Sequence, residues 1–198
     1  MRVQLQLTKV TFTKGHDGFL RGKPEPVLLA AALAAAHDRV ELLARVQLPL
    51  RVTRSYPCTQ TFPDPPPLLF EAKIAPEQRL ALLVMALESD KGTDITRLLV
   101  GLDQPGDWTV RAGDSALAAP FQLAELALLP HHQPPAAQPV HLTWRDKDVS
   151  GQCEADDWIG ACLVLPQGGR RLLQGWELRF LSANRRNDWT AAVRLRVT

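Results

Sequence analysis

A chain of 198 residues with 45% apolar and 22% charged side chains can bury a core of its own. That excludes a disordered tail, a collagen-like repeat and a disulfide-stapled miniprotein. Lys and Arg number 23 against 21 Asp and Glu, a formal net charge of +2, which argues against a nucleic-acid binder with a strongly basic face.

One domain over residues 1–198 is the expectation at this length. Met1–Leu7 lacks the continuous apolar run of a signal peptide. The longest apolar stretches, Val27–Ala36 and Leu80–Leu87, fall short of the roughly 18 residues of a membrane helix. Cys58, Cys153 and Cys162 are an odd count with no Cys-x-x-Cys pair, so reduced thiols in a cytoplasmic protein are expected, with peripheral membrane contact left open. The richness in Ala, Leu and Arg suggests a GC-rich bacterial genome.

Val3, Leu5 and Leu7 alternate with Gln4, Gln6 and Thr8, the period of a half-buried strand. Val27–Ala36 reads as an interior strand, although its alanines equally suit a buried helix. Val40–Val52 predicts a long strand with Pro49 at an edge or bulge. Tyr56–Pro67 reads as a proline-rich loop, followed by strands at Leu68–Ile74 and Leu80–Leu87. Ile95, Leu98, Leu99 and Leu102 then fall at helical spacing behind a cap at Thr93 or Asp94. A second helix is expected over Ser115–Leu129, and His131–Pro139 reads as a connector. Strands resume at Val140–Trp144, Trp158–Leu165, Leu172–Leu181 and Trp189–Val197. Eight or nine strands with one helical excursion favour a mainly β, antiparallel sandwich.

Chemistry concentrates in the carboxylates at strand ends. Asp146 and Asp148 sit two apart, where a strand would point both the same way, and the loop behind them can return Asp156 or Asp157. Converging carboxylates repel unless a hard cation neutralises them, and Ca²⁺ accepts oxygens from flexible loops. The alternative is a solvated hairpin end whose Asp side chains cap the backbone.

These residues resemble the C2 family of calcium- and phospholipid-binding β-sandwiches. That family's third loop commonly runs from a strand through Asp-x-Asp to an Asp, a hydrophobic residue, Ile and Gly. Asp146, Asp148, Asp157 and Ile159-Gly160 follow that order here. Glu25-Pro26-Val27 is similar to the end of the family's first loop, with Asp17 as the upstream carboxylate. Leu83–Asp94 offers a competing register for the third loop, through Glu88 and Asp90. The resemblance covers most of residues 1–88 and 138–198. It implies an eight-stranded C2-like sandwich with an inserted helical segment at about 89–137. It also implies calcium held by Asp17, Glu25, Asp146, Asp148 and Asp157.

In the presumed first loop, Phe19, Leu20, Arg21 and Lys23 join apolar tips to cations, a pattern that inserts into an anionic headgroup layer. Phe19 folding back onto the sandwich is the alternative. His131-His132 has no carboxylate or Cys at metal spacing beside it. Arg194, Arg196, Arg170-Arg171 and Arg185-Arg186 read as solvated faces and turns, with an anionic partner surface as the lesser reading. Common nucleotide, zinc-protease and esterase motifs are missing. The expectation is a non-enzymatic module that docks on an anionic membrane surface or a protein partner, not on nucleic acid. Its rivals are a calcium-free scaffold using the helical insertion for contact and, less favoured, a carboxylate hydrolase.

Overall fold

The computed structural model describes residues 1–15, 25–37, 39–52, 56–75, 77–88, 93–112, 119–128, 137–153, 158–166 and 173–198. In chain order the strands begin with β1 (Arg2–Lys14), β2 (Pro26–Ala36), β3 (Arg39–Pro49), β4 (Cys58–Thr61), β5 (Leu68–Lys73) and β6 (Arg79–Glu88). Helix α1 (Thr93–Gly101) leads through a 3-10 turn (Pro105–Asp107) to β7 (Trp108–Ala112), β8 (Phe121–Gln122) and a second 3-10 segment (Leu123–Leu128). Then come β9 (Gln138–Trp144), β10 (Lys147–Asp148), a short helix α2 (Val149–Gln152), β11 (Trp158–Val164), β12 (Leu173–Leu181) and β13 (Asp188–Val197).

The protein is mainly β, built from two antiparallel sheets. A five-stranded sheet runs β12-β13-β1, and the far edge of β1 is shared by β4 and β5. β5 pairs with the first half of β1 (Val3↔Ala72), and β4 with the second (Thr11↔Thr59). An eight-stranded sheet runs β3-β2-β6-β11-β9-β7-β8, with β10 folded back on β9. Strands exceed the expected eight or nine because the proline-rich segment supplies β4, the insertion supplies β7 and β8, and the hairpin after Trp144 supplies β10.

The apolar run of β2 has a simple cause: both faces of its sheet are covered, so no polar alternation is required. Leu28, Ala30 and Ala32 pack into the core shared with the five-stranded sheet. Their neighbours Leu29, Ala31 and Leu33 enter a second core on the opposite face. β6 divides the same way, Leu82 and Val84 to one side and Leu83 and Met85 to the other.

The insertion closes that second core. Ile95, Leu98 and Leu102 are buried beneath α1, each contributing about 1.5–3 kcal/mol of burial. A nine-residue helix is too short to persist alone, so this docking holds it. On β3, Arg45 fixes the other end of α1, donating to the Leu99 carbonyl and to Asp103, both at 2.6 Å.

The segment 89–137 is therefore only partly helical. The helix expected over Ser115–Leu129 is, in its described part, the strand β8 followed by a 3-10 segment. Among the described residues, no helix is long and apolar enough to cross a membrane.

Candidate functional site

Register places several of the acidic positions at one end of the eight-stranded sheet. Pro26 pairs with Glu88 and Leu87 with Trp158, while Val140 opposite Ala161 runs β9 toward the same end. Glu25, Glu88 and the hairpin after Trp144 thus share a pole. Glu25 and the hairpin are not in reach of one another. Two strands, β6 and β11, lie between β2 and β9, and three strand spacings of ~4.8 Å amount to about 14 Å.

The hairpin itself departs from the expected continuing strand. Trp144 pairs with Lys147, and Arg145 and Asp146 both have positive φ, 50° and 59°. This is the two-residue turn whose twist suits a right-handed hairpin, and Asp tolerates it better than most residues. Asp146 therefore sits at the exposed tip.

Asp148 is already engaged. Its Oδ1 accepts from the Ser150 amide and from Ser150 Oγ, each at 2.8 Å, which caps α2. Its Oδ2 lies 3.3 Å from His141 Nε2. The capping alternative raised by the sequence describes this carboxylate. Among the described residues no group of three or more His, Cys, Asp and Glu gathers into a metal-sized cluster. Asp17 and Asp157, with Phe19, Leu20, Arg21 and Lys23, lie outside the described residues, as do Asp90 and Asp156.

What surrounds the hairpin is a clamp between sheet and helix. Trp108 and Trp144 stack with centroids 5.7 Å apart and planes 15° from parallel. The Arg145 guanidinium lies 5.2 Å above the Trp144 ring, a cation–π contact. Arg145 also donates from Nε to Asp107 Oδ2 at 2.9 Å and from its amide to the Asp107 carbonyl at 2.8 Å. Gln152 donates to the carbonyls of Trp144 and Lys147. Arg97 of α1 reaches the Gln152 carbonyl and pairs with Asp94. Buried Trp108 donates from its indole to the Gly101 carbonyl at 2.9 Å.

This clamp makes Gly101 selective for size. A Cβ there would stand 2.8 and 2.9 Å from atoms of the Trp144 ring and 3.2 Å from Trp108. In an open helix Gly→Ala gains about 0.5–1 kcal/mol. Here the ring facing the new methyl is held between Trp108 and Arg145, and overpacking costs about 1–3 kcal/mol. Gly101→Ala is expected to be destabilising in urea unfolding; a stabilised variant would show that the indole yields freely.

Thiol chemistry is not poised here. Burial pushes the Cys162 thiol up to about 12, which withholds the nucleophilic thiolate at neutral pH. Cys153 is buried and Cys58 half-buried. The pairing of Arg145 with Asp107 gives no local signal in the sequence, because 38 residues separate them. Comparison of the chain with protein-family models, curated proteins and solved structures gave no match.

Proposed function

We propose that the chain is a non-enzymatic binding module whose acidic hairpin is architectural and whose docking does not require calcium. The observation that carries this reading is the Asp148 carboxylate, with one oxygen capping α2 and the other beside His141. A calcium ion taking six to eight oxygens would have to displace those partners. The insertion is also an unlike candidate for the contact surface, since the apolar side of α1 is spent on the second core. Among the described residues, the outer face of the five-stranded sheet is a broad exposed surface.

A calcium-dependent C2-like module is the second reading. It is favoured by Glu25, Glu88 and the 145–148 hairpin sharing one pole of the sheet.

Thermal melting with added calcium separates the two, because a ligand that binds the native state must raise the midpoint. An unmoved midpoint at saturating calcium is expected. Asp148→Ala should lose the cap at about 1 kcal/mol, or roughly 2–4 °C for a chain of this size. Asp148→Asn, which can still cap, should remain near the parent. A calcium-raised midpoint that disappears in Asp148→Asn would overturn the proposal.

A further inference from the structure

We infer that the outer face of the five-stranded sheet docks on an anionic lipid surface. The inference rests on the binding-module reading above and names its partner. Alternation assigns the face. Val193 and Leu195 of β13 are buried, so Arg194 and Arg196 point outward. Across the sheet, Arg196 stands opposite Gln4, and Arg194 opposite Gln6. Arg2 of β1 stands opposite Lys73 of β5.

Among the described residues, four cations from three adjacent strands thus meet one side-chain carboxylate, Glu71. That carboxylate is bound to Arg2 at 2.7 Å, and the Arg2 guanidinium beside it holds its carboxyl below the usual range. Arg194 is fixed by Gln6 Oε1 at 3.0 and 3.2 Å, a neutral acceptor that orients the guanidinium without cancelling its charge. At the other end of the same face the charges pair off, Lys9 with Glu177 and Arg179 with Asp188. In a chain with a formal charge of only +2, this is sorting of charge rather than abundance. Like charges on neighbouring strand positions disfavour the sheet, and an anionic partner relieves that repulsion.

Two leucines decide the class of partner. Leu173, 68% exposed, pairs with Arg196, and Leu68, 38% exposed, pairs with Gln6 beside Arg194. Apolar side chains at both margins of a cationic patch suit the boundary of headgroups and acyl chains. A single-stranded nucleic acid would call for aromatic stacking platforms, and the described outward positions of this face carry none.

The test is co-sedimentation of the full chain with phosphatidylcholine vesicles, with and without phosphatidylserine, in chelator and then in calcium. Binding to the phosphatidylserine vesicles in chelator is expected, and it should weaken as salt is raised. At about fivefold per cation removed, Arg194→Gln with Arg196→Gln should weaken binding about 30-fold. The paired Lys variant, which keeps both charges, should retain it. Coincident melting of parent and Gln variant confirms that the fold survives. Equal binding to neutral vesicles, an unaffected Gln variant, or tighter binding to duplex DNA than to vesicles at the same salt would each overturn the inference. No vesicle binding with an unmoved calcium melt would remove this inference and leave the calcium-independent reading standing. Binding that appears only with calcium would overturn both.

Discussion

Replacing Trp108 by alanine should cost about 3–5 kcal/mol, the range for emptying a large aromatic site in a core. The indole is fully buried in the second core, and three separate losses coincide there. The stack against Trp144 disappears, the Gly101 carbonyl loses one of its two donors, and β7 loses the anchor by which it joins β9 opposite Trp144. Against a typical total of 5–15 kcal/mol, this is a large share. For a chain of this length it corresponds to a fall of about 6–20 °C in melting midpoint. Trp108→Phe keeps much of the apolar area but not the indole donor, and should fall between parent and alanine variant. A Trp108→Ala protein that melts within a degree or two of the parent would show that the insertion is held elsewhere.

Alkaline unfolding should report on Cys162. Its side chain bridges the two sheets, donating from Sγ of β11 to the Arg179 carbonyl of β12 at 3.3 Å. Burial raises this thiol from its ordinary 9.0 to about 12. Below pH 9 the thiol is protonated in both states, and its contribution to stability is fully present. Between pH 9 and 12 the unfolded chain releases the proton and the folded chain does not, so stability falls with rising pH. The slope approaches about 1.4 kcal/mol per pH unit, on the order of 4 kcal/mol across the window. Other titrating groups are common to parent and variant, so the comparison with Cys162→Ala isolates this one. The variant should be the less stable protein at pH 7 and the more stable one near pH 11. Parallel pH profiles for the two would refute the assignment.

Much of the strand framework was legible in the sequence, because a strand with one wet face writes its register in alternation. Val3, Leu5 and Leu7 did so, as did Val193, Leu195 and Val197. Where both faces are dry the alternation vanishes, which is why Val27–Ala36 could be read as strand or helix. The partner sheet and the insertion decide it. β7 carried a fair signal in Trp108, Val110 and Ala112, hidden by helical spacing upstream. β4 had little of its own: four residues in a proline-rich stretch become a strand because the second half of β1 is there to pair with.

Phe121 illustrates tertiary override. Its spacing with Leu117, Ala124 and Leu128 suited a helix, yet pairing opposite Val110 draws Phe121 and Gln122 into the sheet. The acidic hairpin takes a geometry that strand periodicity alone does not show. Strand periodicity was carried through Asp146 and Asp148, whereas the turn at Arg145-Asp146 breaks it before Asp148 is reached. Asp148 followed two residues later by Ser150 was a visible capping pattern. The partner of its second oxygen, His141, is brought close only by the folding of β9.

The position of β1 has a consequence for how the protein is made. Its first residues pair with the last strand, Val3 with Val197 and Leu5 with Leu195, so the ladder bridges nearly the entire chain. During synthesis β1 can recruit β4 and β5 on one side, but its other edge stays bare until β12 and β13 have left the ribosome. Contacts so distant in sequence form slowly, and an unpaired edge over a half-roofed core invites pairing with neighbouring chains. A truncated nascent chain would thus be not a smaller sandwich but an adhesive one, and its final two strands act as the seal.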